Sequence, residues 1–172
     1  MNFQEIYTAH KSMVYNLVLQ YTQNTEDAEE ITQDVFLKIY NNLESFKKES
    51  ELKTWVYRIT INQALDFLKA KKNRNRWSIF SAFSSDEKIT SIGVTNFNHP
   101  GVELEQKEAL AFIFTCIDKL PENQKTVIIL LKIEQLSQAE SAEVMQLSSK
   151  AIESLFQRAK KNLEKLLIEN EG

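Results

Sequence analysis

Glycine and proline, the residues that most often interrupt helices, are scarce in this chain. Its 172 residues include three glycines and two prolines. Gly93 and Pro100 fall within one stretch, residues 77–100, whose Ser, Thr and Asn content is typical of a connecting segment. On both sides of it, apolar residues recur every three or four positions, as in amphipathic helices. The sequence therefore predicts an all-α protein with two small helical domains, residues 1–76 and 101–172, joined by a flexible linker.

The first predicted domain contains three helices. The first begins near Phe3, the second follows a helix cap at Asn24 or Thr25, and the third begins at about Leu52. We expect the second helix to turn one apolar face inward, formed by Ala28, Ile31, Val35, Phe36, Ile39 and Tyr40.

The second predicted domain ends in two helices joined by a very short turn. Pro121 stops a helix that starts at Val102 and can itself open the next one, since proline is tolerated in a first turn. Ser137 precedes Glu140 by three residues, which predicts a capping box. Only the residues QLS separate the helix that follows this box from the last helix. Such a pair is a candidate helix-turn-helix, although it also occurs as a plain packing unit.

The third helix combines aromatic groups with a cationic end. Trp55 and Tyr57 could stack on nucleic-acid bases, but we interpret them as core residues. A cationic helix end can simply be solvated, and it then also suits the helix dipole. The density of charge here instead favours binding to phosphates, because five cations lie within eight residues: Lys69, Lys71, Lys72, Arg74 and Arg76. The whole chain has a net charge of -3, so any contact with nucleic acid must come from such local clusters.

Several classes of protein are excluded by what the sequence lacks. The single cysteine, Cys116, rules out an internal disulfide and fits a reducing cytoplasm. His10 and His99 have no neighbouring ligand pattern, so neither a metal site nor a cofactor is expected. Apolar runs such as Val127–Leu131 are far shorter than the ~20 residues of a membrane span. Since a nucleophile–base pair and a Gly-rich phosphate loop are also missing, the sequence indicates a cytoplasmic protein that is neither an enzyme nor a membrane protein.

Three stretches resemble a known family. They are DAEEITQDVFLKIY, TWVYRITINQALDFL and LPENQKTVIILLKIEQLSQAESAEVMQLSSKAIESLFQRAKKNL, and together they are similar to the extracytoplasmic-function (ECF) group of bacterial sigma factors, in the family's order. The resemblance implies a protein that binds core RNA polymerase, directs it to promoters and helps open the minus-ten DNA. It implies core polymerase and promoter DNA as partners, and it allows an anti-sigma protein and an auxiliary DNA-targeting factor.

The resemblance also assigns roles to residues of the first domain. The outer face of the second helix would contact polymerase through Glu30, Gln33, Asp34 and Lys38. Asn62 occupies the family's minus-ten-reading position, one helical turn from Arg58 and Asp66, so that the three share a stripe. Phe46 would lie beside the pocket for a flipped base. The five cations of residues 69–76 would meet phosphates of the spacer duplex.

In the second domain, the resemblance implies a reader of the minus-thirty-five element. The residues assigned to base reading lie along the last helix: Ser149, Lys150, Glu153, Ser154 and Arg158. Lysine can donate to guanine and glutamate can accept from cytosine, and one good bidentate pair discriminates by about 1–3 kcal/mol. Lys160 and Lys161 would grip phosphates.

Three positions depart from the family's pattern. Ser141 replaces a usual apolar residue, Gln146 replaces the usual turn glycine, and Leu155 stands where many members carry arginine. Gln146 would have to accept a strained turn at a cost of ~1 kcal/mol, and Leu155 would remove one cation from the DNA face. Because residues 101–172 also carry a net charge of -3, we hypothesise that this domain reads its element weakly and that recruitment leans on polymerase or on another factor.

Two other functions remain open at this point. A helix-turn-helix regulator that works without polymerase would explain residues 120–161 but gives the segment from Thr54 to Trp77 no role. A helical interaction protein that never touches nucleic acid would leave the cationic cluster unexplained.

Overall fold

A computed structural model describes residues 2–46, 50–82 and 104–170 of the chain. Within these ranges the protein is helical and contains no strand, which confirms the all-α fold of two helical domains. The elements, in chain order, are α1 (Phe3–Thr22), α2 (Thr25–Asn42), α3 (Leu52–Ala82), α4 (Leu104–Asp118), α5 (Glu122–Ile128), a π-helical turn (Ile129–Ile133), α6 (Gln138–Met145) and α7 (Ser149–Asn170). No helix in the described part of the chain has the length and apolarity needed to cross a bilayer.

The first domain consists of α1, α2 and α3, and its helix starts follow the predicted caps. The Asn24 side chain accepts a hydrogen bond from the backbone N–H of Asp27 at 2.8 Å, so Asn24 is the cap of α2. The negative charges of Glu26 and Asp27 lie in the first turn of α2, where the helix dipole favours them. The main apolar core lies between the three helices and includes Ile6, Val14, Val18, Ala28, Ile31, Val35, Phe36, Ile39 and Val56.

Tyr40 does not belong to this core, and the prediction that α2 buries it was wrong. Its side chain is 62% exposed, as is that of Leu37 at 60%. At 100° per residue, Tyr40 is offset by about 40° from Phe36 one turn earlier. That offset carries it past the edge of the buried stripe and onto the outer surface of the domain.

Helix α3 is longer than its apolar pattern suggested. It continues to Ala82 and therefore runs six residues into the segment assigned to the linker, residues 77–100. The rest of that segment, with Gly93, Pro100 and His99, lies outside the described residues.

The second domain consists of α4 to α7, and its capping box is present as predicted. The Ser137 hydroxyl accepts from the Glu140 N–H at 3.1 Å, and the Ser137 N–H donates to the Glu140 carboxylate at 2.7 Å. These bonds lower the pKa of Glu140 below its ordinary value. Helix α6 ends at Gln146, whose φ of 56° and ψ of 42° are left-handed. The turn therefore takes the strained backbone that replacement of glycine by glutamine implied.

Leu155 corrects one expectation about this domain. Only 8% of it is exposed, and it lies in the domain core with Phe114, Ile128 and Ile152. Positions 152, 155 and 159 share the inner face of α7, because residues three and four apart on a helix are neighbours. Leu155 therefore takes no cation away from the outer face of this helix.

The two domains pack against each other, which the sequence did not predict. Part of the contact is a single hydrophobic cluster with members from both domains. The first domain contributes Leu17, Tyr21, Tyr57, Ile61 and Ala64, and the second contributes Ile129, Leu130, Leu136 and Val144.

Candidate nucleic-acid and polymerase interfaces

The proposed minus-ten residues share one side of α3, but they differ in exposure. Asn62 and Asp66 are exposed to solvent. Arg58 is half-buried, because its guanidinium donates from Nε and Nη2 to the backbone carbonyl of Glu143 in α6, at 3.0 Å and 2.7 Å. The Glu143 carbonyl at the end of α6 also accepts from the Gln146 N–H at 3.3 Å, so Arg58 adds an interdomain bond to an acceptor that has only this long bond within its own domain. Gln63, next to Asn62, instead bonds to α2.

The aromatic side chains of α3 pack inward. Tyr57 is 3% exposed, and Trp55 packs partly buried against the first-domain core, in agreement with the core interpretation of both. The Phe46 ring lies 4.8 Å from that of Trp55, centroid to centroid, with the planes tilted by 34°. The two rings form an aromatic pair at the start of α3, in the region assigned to the flipped base.

The cationic segment of α3, residues 69–76, is only partly free. Lys69 forms an ion pair with Glu122 at 3.2 Å, and Lys71 forms an ion pair with Asp27 at the start of α2. The remaining three cations are exposed and have no ionic or hydrogen-bonding partner among the described side chains: Lys72, Arg74 and Arg76. These three form the part of the cluster that is most available to a phosphate.

Helices α6 and α7 form the helix-turn-helix pair that the short connection predicted. The Ser148 hydroxyl accepts from the Ala151 N–H at 3.1 Å and caps α7. The inner face of α7 buries Ile152, Leu155 and Ala159. All the residues assigned to base reading lie outside on exposed positions, namely Ser149, Lys150, Glu153, Ser154 and Arg158.

The two lysines assigned to phosphates beyond this face are also exposed. Lys160 faces Glu164 one turn later at 3.9 Å, a solvent-exposed pair that contributes little, and Lys161 is exposed as well. The pair with Glu164 would not prevent Lys160 from reaching a DNA backbone.

The residues assigned to polymerase differ in their contacts. Glu30, Gln33 and Lys38 are exposed and Asp34 is half-buried. Asp34 and Lys38 both bond to Gln63 of α3, at 3.3 Å and 2.7 Å. Next to Gln33 lies a shallow apolar groove of about 450 Å³ between α1 and α2, lined by Phe3, Gln4, Tyr7, Gln33, Phe36, Leu37 and Tyr40. Sequence analysis missed this groove because it placed Tyr40 on the buried face of α2 and assigned no role to Leu37.

Two charged residues of the second domain make contacts that no motif indicated. The Glu134 carboxylate accepts from Gln20 Nε2 at 2.6 Å and from the Tyr57 hydroxyl at 2.7 Å. Lys125 is 6% exposed; it donates to the Tyr21 carbonyl at 3.0 Å and pairs with Asp118. Both contacts reach from the second domain to the first, and only the fold brings their partners together.

Burial in this interface shifts the pKa of several groups. It raises the pKa of the Tyr21 and Tyr57 hydroxyls far above the ordinary value, and for Tyr57 the bond to Glu134 adds to the shift. Burial also raises the pKa of Asp118, although Lys125 opposes that shift. Both tyrosines therefore remain neutral hydrogen-bond donors across the physiological pH range.

Comparison with known proteins agrees with this arrangement in both domains. The profile of Sigma-70 region 2 matches residues 6–74, and that of Sigma-70 region 4 matches residues 113–163. The first match runs from Ile6 of α1 through most of α3. The second runs from the end of α4 through most of α7. The chain belongs to the sigma-70 family.

Relatives of this sigma factor fall in the ECF group, as the resemblance implied. It is 29% identical to the ECF RNA polymerase sigma-E factor of Haemophilus influenzae over 162 residues, which are 94% of this chain and 85% of that protein. It is 28% identical to the ECF RNA polymerase sigma factor SigW of Bacillus subtilis over 165 residues, which are 96% of this chain and 88% of that protein. The protein is thus an ECF sigma factor. It acts in transcription initiation and belongs to a family of transcription regulators.

Solved sigma-factor structures share the fold. The sigma factor RpoE of Bartonella quintana, in complex with the anti-sigma factor NepR, aligns with a TM-score of 0.67 over 98% of both chains at 22% identity. CnrH, in complex with the cytosolic domain of CnrY, gives the same TM-score and identity over 98% of this chain and 88% of its own.

Proposed function

We propose that this sigma factor binds core RNA polymerase, directs it to promoters with minus-ten and minus-thirty-five elements, and helps open the minus-ten DNA. One observation carries the proposal. Each sigma domain presents to solvent the polar side chains that stand at the family's DNA-reading positions, Asn62 and Asp66 on α3 and five residues on α7. The apolar residues beside them on each helix are buried.

Opening DNA requires replacement of base stacking, which is worth ~1.4 kcal/mol per step. A flipped base can recover part of this by stacking on an aromatic ring. Phe46 is paired with Trp55 and remains partly exposed, so it offers a ring face that is already held in place. Asn62 can donate and accept hydrogen bonds at a base edge.

Holding the duplex next to an open segment requires contacts to phosphates. Lys72, Arg74 and Arg76 supply them on our proposal, because they are exposed and lack ionic partners among the described side chains. Lys69 and Lys71 would have to exchange their partners Glu122 and Asp27 for phosphate. The Lys69 pair is exposed and therefore weak, so its exchange costs little. The Lys71 pair costs more to exchange, because the Asp27 side chain is largely buried.

The outer face of α7 would read the minus-thirty-five element in the major groove. Lys150 and Glu153 would contact base edges, and Arg158, Lys160 and Lys161 the backbone. The hypothesis of weak readout now rests on the net charge of -3 for residues 101–172, since Leu155 belongs to the core.

Core polymerase would bind the outer face of α2. Glu30 and Gln33 supply the polar part of this surface, and the groove around Leu37 and Tyr40 supplies an apolar part next to it. Exposed apolar patches rimmed by polar groups commonly mark protein interfaces. An anti-sigma protein and an auxiliary DNA-targeting factor are further partners that this function allows.

The decisive experiment is transcription in vitro with the purified chain, core polymerase from its host and fragmented genomic DNA, followed by sequencing of the start sites. We expect discrete transcription start sites. Each should be preceded by two shared sequence elements, one near minus ten and one near minus thirty-five. Binding to core without discrete starts would point to a missing recruiting partner. No binding to core would favour a regulator that works without polymerase.

A matched pair of variants tests the role of Asn62. Asn62→Ala should impair promoter opening, measured by permanganate reactivity of unpaired thymines, while binding to core stays unchanged. Asn16→Ala, an exposed asparagine of α1, should leave both unchanged. Equal loss of opening and of core binding in Asn62→Ala would contradict the proposed role.

A further inference from the structure

Gln63 stands beside Asn62 in α3, but its side chain bonds to α2. Its amide nitrogen Nε2 donates to the Asp34 carboxylate at 3.3 Å, and its amide oxygen Oε1 accepts from the Lys38 ammonium at 2.7 Å. Asn62 is exposed, whereas Gln63 is half-buried. Consecutive residues of a helix are about 100° apart around its axis, so these two neighbouring amides serve different surfaces of the first domain.

The two partners of Gln63 carry opposite charges and lie one turn apart on α2. A carboxylate and an ammonium at positions i and i+4 of a helix are neighbours and attract each other. Asp34 and Lys38 nevertheless form no ion pair with each other or with any other residue that the structure describes. The Gln63 amide explains this separation, because it offers a donor to the carboxylate and an acceptor to the ammonium.

A neutral amide between the two groups leaves both charges in place. If Asp34 and Lys38 paired directly, each would partly neutralise the other, and a partner protein would have to break the pair before it could bind either side chain. Gln63 instead satisfies each group with a hydrogen bond and carries no charge of its own. Its bonds also order the two side chains before a partner arrives, which favours association because less entropy is then lost on binding.

A purely structural role explains these bonds less well. Helices α2 and α3 already share an apolar core, in which Val35 and Ile39 of α2 pack with Val56 of α3. The ion pair between Lys71 and Asp27 joins the same two helices further along. The bond from Lys38 to Gln63 lies at the exposed edge of this contact, where a hydrogen bond competes with water and adds little stability.

We propose that Gln63 is a positioning residue of the polymerase-binding surface. It keeps Asp34 and Lys38 apart and ordered, so that core RNA polymerase meets two separate charges that are already in place on α2. This inference rests on the proposed function, because it takes Asp34 and Lys38 as polymerase contacts. It gives the neighbours Asn62 and Gln63 different tasks, the first towards DNA and the second towards polymerase.

Gln63→Met tests this role in the full chain. Methionine has a similar length and helix propensity, but it lacks the amide donor and has only a weak acceptor, so Asp34 and Lys38 become free to pair. We expect the affinity for core polymerase to fall about fivefold, the order of the cost of ordering one flexible side chain on binding. The midpoint of urea unfolding should stay unchanged. Gln157→Met, at an exposed position of α7, is the matched control and should change neither quantity.

A chain with Asp34→Ala and Lys38→Ala shows whether Gln63 acts through these two residues. This double variant should bind core polymerase more weakly than the unaltered chain. Adding Gln63→Met should then cause no further loss, since residues that act as one unit have non-additive effects. At saturating core polymerase, Gln63→Met should also leave the permanganate reactivity of promoter thymines unchanged, in contrast to Asn62→Ala.

Unchanged affinity in Gln63→Met would overturn the proposal, and earlier unfolding in urea would then show that Gln63 only joins two helices. Full affinity of the double variant, a further loss in the triple variant, or reduced promoter opening at saturating polymerase would each overturn it as well. In all these cases the unaltered chain still binds core polymerase, so the proposed function stands. No binding of the unaltered chain to core would refute the proposed function and this inference with it.

Discussion

Helices α3 and α7 carry the two surfaces assigned to DNA, and they differ in how accessible those surfaces are. Both bury an apolar face, and both carry cations beyond the residues assigned to base reading, at positions 69–76 of α3 and at Lys160 and Lys161 of α7. The outer face of α7 is exposed along its whole length. On α3, Arg58 is tied to α6, and Lys69 and Lys71 are ion-paired. Access to α7 is therefore a property of one domain, whereas access to α3 depends on where the other domain lies.

The largest effect is expected from a charge placed on the inner face of α7. Leu155→Arg restores the residue common in the family, but it puts a cation into the core and should lower the free energy of unfolding by about 3 kcal/mol. Ser154→Arg, on the exposed neighbour, should change it by less than about 0.5 kcal/mol. Chemical denaturation measures both. Similar values for the two variants would mean that α7 has no distinct inner face.

The second prediction compares phosphate binding by the two helices. Replacing Lys72, Arg74 and Arg76 by alanine should reduce the slope of log K against log salt by about 2.7 for promoter binding by the holoenzyme, at about 0.9 per phosphate contact. Replacing Lys160 and Lys161 should reduce it by about 1.8. Lys11→Ala in α1 serves as the control. An unchanged slope in either set would remove that set from the DNA interface.

A third prediction concerns α6, the helix of the second domain that contacts α3 through Arg58. Ser141 is fully buried, and its hydroxyl has no hydrogen-bond partner among the residues that the structure describes. Ser141→Ala should therefore stabilise the protein by about 1–2 kcal/mol, because an unsatisfied buried hydroxyl is removed. The exposed Ser154→Ala should have an effect within about 0.5 kcal/mol of zero. Destabilisation by Ser141→Ala in thermal unfolding would show that the hydroxyl does have a partner.

The smallest effect is expected at the turn before α7. Gln146 has a left-handed backbone, which glycine adopts without a steric penalty, so Gln146→Gly should stabilise the protein by about 1 kcal/mol. Gln157→Gly, in the middle of α7, should instead destabilise it by about 1 kcal/mol. Two shifts of the same sign in thermal unfolding would contradict the assignment of the turn.

The structural features that the sequence predicted correctly are those that depend on residues close together in the chain. Helical periodicity gave the helices, Asn24 and Ser137 gave two of their starts, and the short QLS connection gave the helix-turn-helix pair. The edge of the buried face of a helix could not be predicted as well, since an apolar residue such as Tyr40 fits either the buried face or the exposed surface beside it. Sequence analysis placed Leu155 on the outer face of α7 because many members of the family carry arginine at this position. Its spacing of three residues from Ile152 instead puts it on the inner face of the helix.

Contacts between the domains could not be predicted in this way. Glu134 and Gln20 are separated by 114 positions, and nothing local marks either as a partner of the other. Lys125 looks like an ordinary charged residue in a first helical turn until the fold buries it against α1. The roles assigned to individual DNA-facing residues remain proposals, because the resemblance identifies positions and the fold shows only their exposure.

The π-helical turn Ile129–Ile133 has a consequence for how this chain can vary. The Glu134 N–H bonds to the Ile129 carbonyl, five residues back, so the helix holds one residue more per turn here than an α-helix would. Deletion of a single residue between Ile129 and Glu134 would convert this turn to α-helical pairing, in which the Glu134 N–H bonds to the same Ile129 carbonyl, then four residues back. The π-helical turn thus takes up one residue while Glu134 stays in line with Gln20 and Tyr57, so evolution can remove that residue without losing the alignment of the two domains.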